Sequence, residues 1–254
     1  MIAPILERLY GTTDLGLAPA VLHAAAVCTN AKGGLSVIRV EAPSAPRNSN
    51  DRFVLGIARA RVDAIITTST NLRAEPRLLH RLHGDDATAA ALRAWSAYDE
   101  DARVFILTES GEVPADHRVF SETPRPSLLT GARGAAHAAK LGIEPDLITE
   151  RAEPSIRDAV GYVLAQSATA VLIETGPSNA AQLYTQPIVV DELMLSVCHE
   201  RLDDDAIGPE LFDADTAEKL CVENNCPAPT GSAGTAGSNW SFCRIAPRQS
   251  SAFE

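Results

Sequence analysis

No apolar stretch of this chain approaches the roughly 18 residues that a membrane-spanning helix needs, so none is expected. The first residues, MIAPILERLYG, lack a basic segment followed by an apolar one, which argues against a secretory signal and for a cytoplasmic protein. Runs of basic residues are also missing: no five Lys or Arg stand together, and the formal net charge is −11. A polyanion would be repelled overall, so no nucleic-acid partner is expected, and the acidity reads as solubility. Cysteine is scarce. Cys28, Cys198, Cys221, Cys226 and Cys243 are odd in number and widely scattered, which argues against a disulfide framework and for free thiols. Cys221 and Cys226 are close, but no His or Cys pair follows at zinc-site spacing, so no metal is expected.

The strong catalytic signatures are absent too. There is no G-x-S-x-G elbow, no H-E-x-x-H, no G-x-x-x-x-G-K-[ST] and no G-x-G-x-x-G. His80 and His83 lie three apart, but with no acid in place beside them they read as surface residues. Asp203-Asp204-Asp205 reads as a solvated turn rather than a cation site.

What the chain does have is an ordinary globular composition, 45% hydrophobic and 22% charged, enough for one large core. Apolar, β-rich runs recur at Ala20 to Val27, Ala64 to Thr68, Val104 to Thr108, Ser127 to Thr130, Leu147 to Thr149 and Ala170 to Ile173. Val189 to Val197, interrupted only by Asp191-Glu192, and Trp240 to Ile245 follow. Helical patterns separate them. The clearest is Asn48 to Arg61, where a polar cap cluster precedes an apolar face of Phe53, Val54, Ile57 and Ala60. Ala87 to Tyr98, Gly134 to Leu141, Ser155 to Gln166 and Asn179 to Tyr184 are further helix candidates. Strands alternating with helices predict an α/β fold with a mostly parallel sheet. No long linker divides the middle, so a single domain over 1–254 is expected, with a flexible loop at about 224–239 and a frayed tail at 249–254.

Four loops at strand ends could carry chemistry, because ligands of open α/β sheets bind beyond the carboxyl ends of the strands. They are Cys28 to Gly34, Thr67 to Asn71, Thr108 to Gly111 and Glu174 to Ser178. Hydroxyls, glycines and backbone amides suit the phosphates and riboses of a dinucleotide. The last loop is the sharpest: a strand, a Gly-Pro turn and a helix start make a ready anion site.

Taken in order, these segments resemble the reductase domain of riboflavin biosynthesis, a pyrimidine reductase with a dihydrofolate-reductase-like fold. The stretch from Asp51 through Ala60, Val62 to Ile66, Thr68-Ser69-Thr70 and Arg73-Ala74-Glu75-Pro76 follows the family's helix, strand and turn. Thr108-Glu109-Ser110-Gly111 matches its "TxSG" turn, Glu174-Thr175-Gly176-Pro177-Ser178 its "EGGPT" turn and Val190-Asp191-Glu192-Leu193 its "VDEL" strand. The resemblance implies a mostly parallel central sheet flanked by helices, with a C-terminal antiparallel strand pair. It also implies NADPH as cofactor, with NADH as the alternative, and a small-molecule substrate. The reaction would be hydride transfer to a ribosylaminopyrimidine or a pterin-like relative, in a homodimer paired through the sheet edge. By position, Thr68, Ser69, Thr70 and Asn71 would contact the cofactor, as would Thr108, Ser110, Thr130 and Gly131. Thr175, Gly176, Pro177 and Ser178 would cradle its pyrophosphate. Glu174 would orient or help protonate the reacting group, and could otherwise be a carboxylate capping the following helix.

The chain departs from the pattern in four places. Asn30, the second catalytic candidate beside Glu174, stands where the "SLDG" loop has the acid that touches substrate, keeping the shape but losing the charge. Thr68 and Ser69 replace turn glycines, and Thr175 replaces the second glycine of "EGGPT"; their side chains narrow a phosphate's approach. Glu109 stands where the family often has Arg, and would repel a 2′-phosphate that Arg would pair. A second reading is therefore a non-catalytic nucleotide-binding relative with a degraded cleft.

Overall fold

The structure is a computed structural model that describes residues 2–16, 19–82, 87–96, 98–123, 126–223 and 239–253. Its strands are β1 (Val21–Thr29), β2 (Leu35–Ile38), β3 (Ala64–Thr68), β4 (Arg103–Leu107), β5 (Ser127–Thr130), β6 (Ile148–Glu150), β7 (Val171–Ile173), β8 (Glu192–Cys198), β9 (Ile207–Phe212) and β10 (Trp240–Ile245). Its helices are α1 (Ile2–Tyr10), α2 (Ser49–Ala60), α3 (Ser69–Ala74), α4 (Ala87–Trp95), α5 (Val119–Glu122), α6 (Ala132–Lys140), α7 (Ile156–Ala165), α8 (Pro177–Ala180) and α9 (Ala214–Glu223). Among the described residues no helix is long and apolar enough to cross a membrane.

The strands form one sheet in the order β10-β8-β1-β7-β3-β4-β5-β6, with β2 and β9 branching from β1. The path from β8 to β6 is parallel throughout, and β10 closes it antiparallel to β8. This is the mostly parallel sheet with a C-terminal antiparallel pair that the resemblance implies. Every residue of β3, β7 and β8 is buried, as expected of parallel strands covered on both faces. One face packs against α7 through Ile156, Val160 and Val163, and the other against α1, α2 and α4 through Leu6, Ile57 and Leu92.

Helix α2 starts as its sequence dictates. Asn48 caps it, its side chain accepting from the N–H groups of Asn50 and Asp51, and Phe53, Val54, Ile57 and Ala60 face inward. Gly56 lets α4 approach, since a Cβ there would lie 2.7 Å from Leu92 Cδ1. Ser155 caps α7 in the same way.

Several expectations are corrected. The Asp191-Glu192 pair does not interrupt a strand: Glu192 opens β8 and Asp191 precedes it. Asp191 accepts a hydrogen bond from the Val21 N–H at 2.9 Å. Glu192 takes Arg61 at 2.6 Å and Arg244 at 2.9 Å, an ion cluster that ties α2 and β10 to β8. The helix expected over Asn179 to Tyr184 begins earlier, at Pro177, and tightens to a 3-10 turn over Ala181–Leu183. Near the C-terminus, Pro247–Gln249 and Ser251–Phe253 form 3-10 turns, Phe253 stacks on Tyr184 at 4.9 Å and Ala252 is buried. Cys28 and Cys198 are free and buried, but Cys243 is disulfide-bonded, against the expectation of free thiols. The loop expected at 224–239 falls, apart from Asn239, outside the described residues. The pattern also concealed β2 and β9. The latter contains Gly208 and Pro209, residues that break a strand reading and survive here because β9 is an edge strand with register shifts.

Candidate functional site

β7 lies between β1 and β3, and from β3 the chain winds outward through β4, β5 and β6. The winding direction reverses at this point, where open α/β sheets leave a crevice beyond the strand ends. A cleft of about 1700 Å³ opens there. β7 pairs with β1 only as far as His23, and β2 joins the same edge only from Val27. Ala24, Ala25 and Ala26 fall in the gap between them and line the cleft.

Two of the four loops converge on this cleft. Thr68, at the end of β3, caps α3 by accepting from the Asn71 N–H at 3.2 Å. Asn71 then donates from its side chain to the Glu174 carbonyl at 2.9 Å, fastening the β3 turn to the β7 turn. Thr68, Thr70, Asn71, Glu174, Thr175, Gly176, Pro177 and Ser178 all line the cleft, whereas Ser69 is buried behind it. Gly176 passes close to Asn71: a Cβ at that position would be 3.5 Å from Asn71 Oδ1.

The remaining predicted residues lie elsewhere. Asn30 is taken up by the β1–β2 turn. Its Oδ1 accepts from Lys32 N–H at 2.9 Å and Gly34 N–H at 3.1 Å. Its Nδ2 donates to Glu210 at 2.7 Å and Ser36 at 3.2 Å. It is not among the residues that line the cleft. Thr108, Ser110, Thr130 and Gly131 form a second cluster at the ends of β4 and β5. There Thr108 accepts from Gly111 N–H at 3.2 Å and Ser110 from Glu112 N–H at 3.1 Å. Gly131 is the N-cap residue of α6. Glu109 is exposed in the same turn. Arg73 of α3 donates to the Glu112 carbonyl at 2.7 Å and so joins this cluster to the cleft wall.

The largest correction concerns His80. It is only 1% exposed, and its Nδ1 sits 2.6 Å from Glu174 Oε2. The acid partner that the neighbouring sequence lacks arrives from the end of β7. His83, its presumed companion, lies outside the described residues. Arg59 of α2 binds the same carboxylate with two hydrogen bonds, Nε to Oε1 and Nη2 to Oε2, both 2.7 Å. Its Nη1 reaches the Arg81 carbonyl at 2.9 Å. Glu174 is therefore engaged by Arg59 and His80 and does not cap the following helix. Burial alone would raise its pKa, but the Arg59 guanidinium and His80 overcome that and hold the carboxyl well below the usual carboxylate range.

Two other acids face the cleft in the opposite condition. Burial, reinforced by the charges of Glu174 and Glu41, pushes Glu75 up to about 7. Burial pushes Asp51, in the first turn of α2, up to about 6, against a hydrogen bond with Ser196 of β8. Asp51, Leu55 and Arg59 are spaced i, i+4, i+8 and form one stripe of α2 along the cleft. That stripe was the available sequence signal for Arg59 and Asp51: two charges of opposite sign on one line of the helix.

No protein-family model matches the chain, and no curated protein matches its sequence. Solved structures do share its fold. A pyrimidine reductase-like protein from Corynebacterium diphtheriae is 16% identical, with a TM-score of 0.62 over 95% of this chain and 98% of that one. RibD of Acinetobacter baumannii is 16% identical, with a TM-score of 0.57 over 90% of this chain. A diaminohydroxyphosphoribosylaminopyrimidine deaminase/5-amino-6-(5-phosphoribosylamino)uracil reductase from Thermotoga maritima is 13% identical, with a TM-score of 0.57. The chain spans 58% of the RibD chain and 57% of the Thermotoga one. At the level of fold, the chain has the architecture of the pyrimidine reductase-like proteins, as its strand-end motifs implied.

Proposed function

We propose that the chain is an NAD(P)H-dependent reductase that transfers a hydride to a ribosylaminopyrimidine or a pterin-like relative. The observation that carries this reading is the junction of the β3 and β7 turns through Asn71 and the Glu174 carbonyl at the floor of the cleft. The residues there fit a dinucleotide. The Thr175 hydroxyl is enclosed and has no partner among the described residues. The N–H groups of Thr175 and Gly176 also donate to none of them. Such groups suit the oxygens of a pyrophosphate. Thr68, Thr70, Asn71 and Thr175 to Ser178 would hold the cofactor's reactive half.

The second cluster suits its other half. The ends of β7 and β5 are three strand spacings apart, about 14 Å, a separation an extended dinucleotide bridges. Bound there, the reduced nicotinamide would supply the hydride. The chain's own residues orient the substrate in the cleft beside Glu174, whose ionised carboxyl positions its neighbours rather than giving up a proton.

The test is binding first and turnover second. NADPH or NADH at millimolar concentration is expected to raise the melting temperature, because a ligand of the native state alone stabilises it by mass action. With 5-amino-6-(5-phosphoribosylamino)uracil added, the reduced nicotinamide absorbance is expected to fall. Absence of any shift with either dinucleotide would sink the reading. A shift without turnover on pyrimidine or pterin substrates would favour the non-catalytic nucleotide binder.

A further inference from the structure

A hydride delivered to a C=N or C=O carbon leaves an electron pair on the nitrogen or oxygen, and that atom must take a proton. Glu174 cannot supply it, since its carboxyl is ionised and both oxygens accept from Arg59, one of them also facing His80. His80 can. Its Nδ1 is set against Glu174 Oε2 at 2.6 Å, which selects the neutral tautomer with hydrogen on Nδ1. Its other nitrogen, Nε2, forms no hydrogen bond with any described residue, and His80 lines the cleft. A carboxylate holding one imidazole nitrogen so that the other meets the substrate is the arrangement of an oriented acid–base group.

We propose that His80 is a catalytic residue of the reduction: as an imidazolium, with its Nδ1–H held by Glu174, it passes the second proton, on Nε2, to the substrate atom that receives the electron pair, and is left as the neutral Nδ1–H tautomer. This rests on the reductase reading above. The C–H bond of the dihydronicotinamide breaks and its hydride forms a new C–H bond on the substrate carbon. The C=N or C=O electron pair moves to the heteroatom, which takes the Nε2 proton. The dinucleotide is oxidised, the substrate reduced, and the neutral imidazole regains its proton from solvent.

Ionisable groups face His80 from several elements. Glu174 follows β7, Arg59 comes from α2, Glu75 ends α3 and His117 precedes α5; His80 and His117 repel each other when charged. Arg59 fixes the geometry twice over. It clamps Glu174 and also holds the carbonyl of Arg81, the residue after His80. Glu174 and Arg59 are thus positioning residues, and His80 is the group that meets the substrate.

The experiment joins a spectroscopic reading of the ligand-free protein with kinetics. In long-range 1H–15N spectra, neutral His80 is expected as the Nδ1–H tautomer, and Glu174→Gln is expected to lose that preference. Finding His80 as the Nε2–H tautomer in the unmodified protein overturns the proposal, whatever the variants do. With NADPH and 5-amino-6-(5-phosphoribosylamino)uracil, His80→Gln is expected to lower kcat about 100-fold, within the range of acid–base catalysis. NADPH affinity is expected to stay within about threefold, and the alkaline fall in kcat to disappear. Glu75, which titrates near neutrality, is the competing acid, so Glu75→Gln is made alongside. If Glu75→Gln removes the alkaline fall and His80→Gln does not, the proton comes from Glu75 and the proposal fails. NADPH binding with His80→Gln turning over near the unmodified rate would also overturn it, while leaving the reductase reading intact. Failure of the unmodified protein to bind either dinucleotide would sink both.

Discussion

Arg59 and Glu174 are 115 positions apart and meet through two parallel hydrogen bonds of 2.7 Å. Both side chains are only 6% exposed. The pair fastens α2 to the end of β7 and sets the shape of the cleft. Its strength lies in completeness: each carboxylate oxygen and three guanidinium nitrogens have partners. Removing one partner leaves a buried charge, which costs more than the pair itself contributes. Arg59→Met is therefore expected to destabilise the fold by about 3–5 kcal/mol at neutral pH, measured as a lower urea midpoint. Adding Glu174→Met to it is expected to restore part of the loss. A double variant as unstable as the sum of the two single ones would show that the charges do not interact.

Asp51 gives a stability change of the opposite sign to that of Glu174. The Glu174 carboxyl titrates below its unfolded value, so its contribution is present above that value and lost as the pH falls. Asp51 titrates at about 6 in the fold against 3.8 in the reference state. Between those values the folded protein holds a proton that the unfolded chain has released, so stability falls as pH rises through that window and stays lower above it. The fall is expected to be about 2–3 kcal/mol. Asp51→Asn removes the titration, and denaturation midpoints measured from pH 4 to pH 7 are expected to lose this decline. An unchanged profile would place the titrating group elsewhere.

Thr175 separates the needs of the empty fold from those of the ligand. Its hydroxyl is enclosed without a partner among the described residues, a cost to the free protein of about 1–3 kcal/mol. Thr175→Val keeps the shape and removes the polar atom. The ligand-free melting temperature is expected to rise by a few degrees, and the further rise produced by NADPH is expected to shrink. If the NADPH shift is unchanged, the hydroxyl does not face the dinucleotide.

Residues near one another in sequence were legible, and those that meet from distant segments were not. The α2 face, the buried parallel strands and the Thr68 and Glu174 turns follow from periodicity and punctuation within a dozen residues. His80 had no local sign of its role. The acid that engages it lies 94 positions later, and the burial of Leu79 and His80 depends on α2 and β7 being placed first. Asn30 is the reverse case. Its side chain satisfies the local demands of a tight turn, and no pattern distinguishes that from a substrate contact. Strand β2 was hidden because it has only four residues and is held by β1 and β9, and β9 because Gly208 and Pro209 break its pattern on an edge paired with β2.

Glycine has two different reasons for its place in this chain, and substitution separates them. Gly111 has φ +72 and is pressed against α6: a Cβ there would lie 1.9 Å from the Gly134 carbonyl oxygen. Gly134 is pressed in turn, its Cβ position lying 2.0 Å from Thr130 Oγ1 and 2.8 Å from the Glu109 carbonyl. Gly142 also has a positive φ, +90, but nothing lies within 4 Å of its Cβ position. Gly142→Ala meets only the conformational penalty, about 1 kcal/mol. Gly111→Ala meets that penalty and a backbone collision that cannot be relieved by rotating a side chain. It must push the Thr108 to Gly111 turn off the start of α6, and a loss of more than about 3 kcal/mol is expected, in the range of overpacked cores. Gly134→Ala, with an ordinary helical backbone, isolates the collision alone. Because this turn lies on the ridge assigned to the far half of the dinucleotide, both collision variants are expected to weaken NADPH binding, whereas Gly142→Ala leaves it unchanged. Thermal unfolding of the three variants with and without NADPH measures both effects. Equal destabilisation by Gly111→Ala and Gly142→Ala would show that the two turns do not differ in packing.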